Sequence, residues 1–452
     1  MHIRISSERL IPVSFLMIII IGTILLMLPF SSATGEYTNL TTALFTSTTS
    51  VCVTGLVVVD TFSHWSAVGQ GIILVLVQIG GLGVVTLGAF IMLIGKRKFS
   101  LEDRMILEAS LNVERRKGLL SFLIRIFKGT LIVEAIGAVL YAIKLVPMHG
   151  VKGIWESIFQ SVSAFCNAGM DVIGPNSMID FRDSNYMMFI TMTLIVLGGL
   201  GFVVWFDVID GVLKGIRNRF SLRRILRNFS EHTKLVFVLT VSLLLIGTII
   251  VFFAEYDNPY TIGNMGLGGK LRNSLFQSVT FRTAGFASVA QDKLTECTCL
   301  TGYILMFIGG SPIGTAGGVK TVTMFLILMN TRSFIRNRNE NVVFRRRIPE
   351  TLMRKAAAII FVSFFGVVIM TSALIFAEHI GLTDALYEIV SALGTVGLSR
   401  GVTPNLDTIG RLIVIVSMFL GRIGPISMAI FFSKGSDSEN KIKHAEGTFY
   451  VG

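Results

Sequence analysis

The chain has 452 residues, 52% of them apolar and only 15% charged, with 40 Lys and Arg against 28 Asp and Glu for a net charge of +12. A soluble globular chain carries about 25% charged residues, so there is too little polar surface here to coat a water-facing fold, and the chain reads as a membrane protein. Six His and four Cys, with no C-x-x-C or H-x-x-x-H spacing, exclude the usual ligand sets of metal enzymes and disulfide scaffolds.

Eight apolar runs follow in chain order: 11–30, 70–94, 125–146, 186–208, 233–254, 302–329, 356–377 and 409–432. Each is near the ~20 residues that a helix needs to cross a bilayer core. The segments between them alternate in charge. Those at 1–10, 95–124 (with Arg125 and Lys128), 209–234, 330–355 and 433–452 hold 29 of the 40 basic residues. Those at 31–69, 147–185, 255–301 and 378–408 (with Arg411) hold eight. The positive-inside rule then puts both termini of a multi-pass membrane protein in the cytoplasm. It also explains the basic balance without nucleic acid. The first run also has the pattern of a signal peptide, with Arg4 and Arg9 before it and Ser31-Ser32-Ala33 after it. Removing it would break the symmetry described next. Cys297 and Cys299 lie in an outside loop and are expected as free thiols, because a Cys-x-Cys ring is strained.

Each outside segment carries an aromatic residue in a short amphipathic stretch that leads into a small-residue turn with glycine. Phe45 leads to Val53-Thr54-Gly55-Leu56, and Phe159 to Asn167-Ala168-Gly169-Met170. Phe276 leads to Thr283-Ala284-Gly285-Phe286, and Tyr387 to Thr395-Val396-Gly397-Leu398. The glycines are 114, 116 and 112 residues apart, and the aromatic-to-glycine distance is 10, 10, 9 and 10. The following apolar run echoes too: Gly80-Gly81, Gly198-Gly199, Gly309-Gly310 and Gly421 let helix backbones approach closely. The expected fold is therefore an all-α polytopic membrane protein. Its four fused helix–pore-loop–helix repeats, with eight transmembrane helices, surround a pseudo-fourfold pore. The repeats are 1–98, 99–213, 214–338 and 339–433, followed by a cytoplasmic tail at 434–452.

Irregular backbone is excluded from lipid but can line a water-filled cavity. Four glycine-containing loops facing one axis would offer rings of carbonyl oxygens, which replace the hydration shell of a cation. The short helix before each loop points its partially negative C-terminal end at the cavity. No ring of acidic side chains stands at that level, which favours a monovalent ion over Ca²⁺ or Mg²⁺.

The four loops, read with Thr48 to Leu56, Ser163 to Gly169, Val279 to Phe286 and Ser391 to Leu398, resemble those of the Trk/Ktr/HKT superfamily of potassium transporters. Within it, the chain is similar to the membrane subunit of bacterial Ktr systems over nearly its whole length. The resemblance implies K⁺ held by the backbone of the sixteen residues from Val53, Asn167, Thr283 and Thr395 through Leu56, Met170, Phe286 and Leu398. Some plant relatives with serine at the first glycine are sodium-selective; Gly55 is present here and implies a preference for K⁺. The resemblance also implies a homodimer on a cytoplasmic ring of nucleotide-binding subunits, for which the basic loops, Arg345-Arg346-Arg347 among them, are plausible docking surfaces. It implies no enzyme activity and no cofactor, and leaves open whether Na⁺ stimulates transport.

The run 309–320 holds five glycines and a proline and makes a poor helix interior. It misses the phosphate-loop pattern, since Val319 stands where glycine is required. A broken helix under the filter is the better reading, either as a gate or as a kink for packing. The family resemblance implies an intramembrane gating loop, with Gly310, Ser311, Gly314, Thr315, Ala316, Gly317, Gly318 and Lys320 as its residues. Arg422, inside the last run, is expected to face the cavity or a carboxylate, and by the resemblance it tunes flux below the filter. Glu134 is expected between helices in a structural role. Asp60 and Asp171, just beyond their filters, are either solvated acids or cation attractors. The rivals are a secondary carrier for an organic solute, a membrane enzyme and a sodium-permeable member of the superfamily. A carrier would favour inverted repeats, whereas these share one orientation. A membrane enzyme lacks a nucleophile–base pair.

Overall fold

A computed structural model describes residues 7–83, 119–338, 340–344 and 346–424. The expected boundary at 98/99, the tail at 434–452, Arg345 and the inner ends of runs 70–94 and 409–432 lie outside the described residues.

The elements in chain order are almost all helices: α1 (Ser7–Met27), α2 (Leu40–Cys52), α3 (Thr61–His64), α4 (Ala67–Leu82), α5 (Leu119–His149), α6 (Lys152–Cys166), α7 (Asn185–Leu200) and α8 (Phe202–Arg217). They continue with α9 (Leu222–Asn228), α10 (Glu231–Ala254), α11 (Leu267–Thr280), α12 (Glu296–Phe307), α13 (Thr321–Ile335), α14 (Glu350–Glu378), α15 (Leu382–Leu393) and α16 (Thr408–Ile423). Between α13 and α14, Val342–Val343 pairs antiparallel with Arg346–Arg347 as a small hairpin. Polar caps start many helices: Asn39, Asp60, Ser66, Ser184, Ser230 and Thr295 each accept a backbone N–H of the first turn.

Among the described residues, three helices, within 121–149, 231–254 and 350–378, are long and apolar enough to cross a membrane, and the bent pair α7–α8 passes the same test as one span. Shorter apolar helices are Pro12–Met27, Ala67–Leu82, Glu296–Phe307 and Thr321–Ile335. The run 186–208 departs from a straight span. It breaks at Gly201, where the axis turns by 99°. Gly201 sits at φ 88, a conformation that ends the ladder of α7 and starts α8 in a new direction.

The helices α2, α6, α11 and α15 have 13, 15, 14 and 12 residues. At 1.5 Å per residue they reach only about 18–22 Å, and most of their residues are buried. Each packs on the long helix before it: α2 on α1, α6 on α5, α11 on α10, α15 on α14. Three of these seams share one device. Ser47 Oγ donates to the Ile19 carbonyl at 2.7 Å, Ser161 Oγ to Glu134 O at 2.7 Å and Ser278 Oγ to Leu244 O at 2.9 Å. Gly22, Gly137 and Gly247 leave room for those hydroxyls. The helix after each short helix also touches the next short helix: α4 meets α6, α7 meets α11, α12 meets α15, and α16 returns to α2. The chain thus closes a ring.

Candidate functional site

At the centre of that ring, four chain segments leave the short helices in the left-handed region. Val53, Asn167, Thr283 and Thr395 have φ of 55, 60, 64 and 49, and two residues later Gly55, Gly169, Gly285 and Gly397 have φ of 97, 66, 82 and 95. Left-handed backbone is costly for a β-branched residue such as Val53 and free for glycine. The four glycines meet in chain order. A Cβ built on Gly55 would overlap Ala168 O and lie 3.1 Å from Gly169 Cα. One on Gly169 would stand 2.6 Å from Gly285 Cα, and one on Gly285 2.6 Å from Val396 O. One on Gly397 would overlap Thr54 O and lie 2.9 Å from Gly55 Cα. No side chain fits at these four positions without moving a neighbouring loop's backbone. Thr54, Ala168, Ala284, Val396, Leu56, Met170, Phe286 and Leu398, all expected at this site, are buried around the ring.

The loops are braced by hydroxyls that sequence reasoning missed. Gly55 N donates to Thr49 Oγ1 at 2.9 Å and Gly397 N to Ser391 Oγ at 3.1 Å. Ser163 Oγ donates to Met170 O, and Thr280 Oγ1 to Phe286 O at 2.7 Å. All four lie four residues after the aromatic residue of their segment. The single missing residue of the third segment therefore falls between Thr280 and Gly285, beyond the helix. The signal was a fixed offset, hidden in stretches such as Thr46 to Ser50 where every side chain carries a hydroxyl.

One step below the glycines, the side chains of Asn167, Thr283 and Thr395 are buried and have no hydrogen-bond partner. Val53 completes that level. The segment 309–320 lies directly beneath. A Cβ on Gly317 would overlap Thr395 Oγ1, and Thr315 Oγ1 donates to Phe165 O at 3.1 Å. Its backbone bonds to the end of α7 and start of α8: Ser311 N to Gly199 O at 3.0 Å, Thr315 N to Gly198 O at 3.2 Å, and Phe202 N to Ile313 O at 2.8 Å. It also closes on itself, with Gly309 N donating to Val319 O and Gly310 N to Gly317 O. Gly314 approaches Gly198 and Gly201, Ala316 abuts Gly310, and Gly318 abuts Gly309. Lys320 Nζ donates to Ala316 O at 2.7 Å.

Of the two surroundings expected for Arg422, cavity or carboxylate, no carboxylate is its partner among the described residues; Nη1 donates to Thr315 O at 2.7 Å and Nη2 to Gly80 O. The guanidinium ties this segment to the end of α4 through two backbone carbonyls. Glu134 is buried between helices, accepting from Gln78 Nε2 at 3.2 Å and from Cys166 Sγ at 3.7 Å. A second cation missed from sequence is Arg282, buried behind the third loop with Nη2 donating to Gly309 O at 3.4 Å.

On the opposite side, Asp60 caps α3 through Phe62 N and Ser63 N. Asp171 is half-buried; burial first, then the charges of Asp60 and Asp180, push its carboxyl up to about 7 against a bond from Ser177. Arg400 binds Asp384 at 2.7 Å and the carbonyls of Gln291 and Asp292, tying the outer turns together. Cys297 and Cys299 are both free thiols.

Comparison with known proteins places this architecture. The profile of the TrkH family, described as a cation transport protein, matches residues 7–444. The potassium/sodium uptake protein NtpJ of Enterococcus hirae is 36% identical over 457 residues, covering 99% of this chain and 98% of that one. The Ktr system potassium uptake protein B of Bacillus subtilis is 37% identical over 451 residues, covering 100% and 98%. The crystal structure of the potassium transporter TrkH from Vibrio parahaemolyticus superposes with a TM-score of 0.72 at 17% identity, over 96% of this chain and 86% of that one, which shows a shared fold. The chain is a membrane protein of the TrkH/Ktr family of cation transport proteins.

Proposed function

We propose that this chain takes up K⁺ through a channel-like pore whose filter is the ring around Gly55, Gly169, Gly285 and Gly397. The observation that carries the reading is the closed contact of those four left-handed loops. Alternating the handedness along Val53-Thr54-Gly55 and its counterparts suits a run of carbonyls aimed one way, which coordinates a dehydrated monovalent cation. The unpartnered Asn167, Thr283 and Thr395 side chains beneath suit an ion that still holds water. The membrane potential supplies the drive, about 2.3 kcal/mol per charge at 100 mV.

The segment 309–320 is the gate. Its backbone fills the space under Thr395, and Arg422 and Lys320 add positive charge that opposes a cation there. Four helix–pore-loop–helix repeats (1–98, 99–213, 214–338, 339–433) supply eight spans, with both termini and the tail 434–452 in the cytoplasm, in line with the basic loops. A homodimer under a nucleotide-binding cytoplasmic subunit completes the assembly, by analogy with Ktr systems. No residue is assigned a catalytic role.

The name of the Enterococcus relative includes sodium, which keeps a sodium-permeable pore as the second reading; Gly55 argues for K⁺. Growth of a K⁺-uptake-deficient bacterium on low K⁺, with and without a cognate regulatory subunit, tests the proposal. Rescue by the chain and loss of rescue with Gly285→Ser support it. Rescue equal in both, or Na⁺ uptake without K⁺ uptake, refutes it.

A further inference from the structure

The ion path leaves α8 and α9 unexplained. After the 99° turn at Gly201, α8 runs across the direction of α7. Ile209, Val212, Leu213 and Ile216 fall at i, i+3, i+4 and i+7, one stripe of a helix, and they are 47%, 37%, 59% and 69% exposed. Leu222 and Leu226 of α9 are exposed as well. Interleaved with them, Lys214, Arg217, Arg219, Arg223, Arg224 and Arg227 are all exposed. The two acids of α8 are engaged elsewhere: Asp207 accepts from Ser230 at 2.8 Å and Asp210 pairs with Arg125 at 3.3 Å.

Two landmarks set the depth. Phe206 stacks edge-on with Phe122 at the start of α5, and Asp207 caps the start of α10 through Ser230. These are the helix ends that the charge asymmetry puts at the cytoplasmic face. The 16 residues of α7 also descend about 24 Å of a ~30 Å core. A helix lying across the membrane normal at that level, apolar on one stripe and basic beside it, matches an interfacial helix.

We propose that α8 and α9 bind anionic phospholipid of the cytoplasmic leaflet, and that this contact holds the gate shut. The apolar stripe enters the acyl region, while Lys214 and the five arginines meet phosphate headgroups. The start of α8 and the gate form one bonded unit, because Phe202 N donates to Ile313 O and Gly201 packs on Pro312 O. Lipid that favours this position of α8 therefore favours the loop conformation bonded to it. The coupling rests on the pore and gate reading above; the lipid contact does not.

The full chain is reconstituted into phosphatidylcholine vesicles and into vesicles with about one-third phosphatidylglycerol. A fluorophore on Ile216→Cys, in a Cys297→Ser background that leaves only buried cysteines, reads depth. Quenching by brominated acyl chains with protection from aqueous iodide is expected. Potential-driven ⁸⁶Rb⁺ influx is expected to be about fivefold lower in the anionic vesicles, and the triple variant R223Q/R224Q/R227Q should remove that difference without changing influx in neutral vesicles. Iodide quenching without bromolipid quenching, or protection that needs a second copy or a cytoplasmic protein, overturns the lipid contact. Influx equal in both lipids, or an equal lipid response in the triple variant, overturns the coupling while the pore reading stands. No influx in either lipid, even with a cognate cytoplasmic subunit bound, refutes the pore reading and the coupling with it, and the depth measurement still decides the contact.

Discussion

Val53, like Thr283 and Thr395, stores backbone strain at the centre of the ring. It is β-branched yet left-handed at φ 55, a conformation that persists only when its surroundings impose it. Gly285 is the complementary case. A side chain there meets Val396 O at 2.6 Å and Gly169 Cα at 2.8 Å, so Gly285→Ser must push two loops apart. We expect it to lower discrimination of K⁺ over Na⁺ about tenfold, the equivalent of ~1.4 kcal/mol. This is read as the ratio of ion concentrations that half-block ⁸⁶Rb⁺ influx. Ser391→Ala removes the brace on Gly397 N, a bond whose loss costs about 1 kcal/mol. It should reduce the same ratio several-fold, while Ser391→Thr keeps it. Asp171, with its carboxyl pushed up to about 7, is charged at pH 8 and neutral at pH 6. The apparent affinity for external K⁺ should therefore weaken about threefold as pH falls across that range, the loss of one attracting charge. In Asp171→Asn the affinity should stay flat.

At the scale of elements, the proposed gate, the segment 309–320, is held by few anchors. Two are backbone bonds to Gly198 and Gly199, one is Phe202 N, one joins Thr315 Oγ1 to Phe165 O, and two are the guanidinium bonds of Arg422 to Thr315 O and of Arg282 to Gly309 O. Deleting 311–317 should raise basal ⁸⁶Rb⁺ influx strongly. Arg422→Gln removes one anchor only and should raise it less; influx no higher than wild type in both would contradict the gate. The short helices and their loops were legible because an aromatic residue and a glycine recur at a fixed distance, with one copy a residue short. The turn at Gly201 was not. An apolar run such as 186–208 has the same hydropathy straight or bent, and one left-handed glycine redirects it without changing that pattern. The partners of Arg422 escaped for a related reason, since backbone carbonyls leave no trace in residue identity.

At the scale of the molecule, ring closure depends on contacts distant in the chain, α16 against α2 above all. Charge asymmetry, which residues alone express, is the basis for its proposed direction in the membrane. A membrane-impermeant thiol reagent should label Cys297, which is exposed, in intact cells. In a Cys297→Ser background, Asn337→Cys should react only after permeabilisation. Labelling from the opposite sides would invert the topology and with it the direction of the pore.

The most direct test of the central claim is potential-driven ⁸⁶Rb⁺ influx into liposomes containing the purified chain, with K⁺ and Na⁺ as competitors, for wild type and Gly285→Ser. The account predicts saturable influx that K⁺ blocks well and Na⁺ poorly in wild type, with that distinction largely lost in the variant. Influx to which both ions compete equally in both proteins, or no influx at any imposed potential even with a cognate cytoplasmic subunit bound, would contradict a carbonyl filter at the glycine ring.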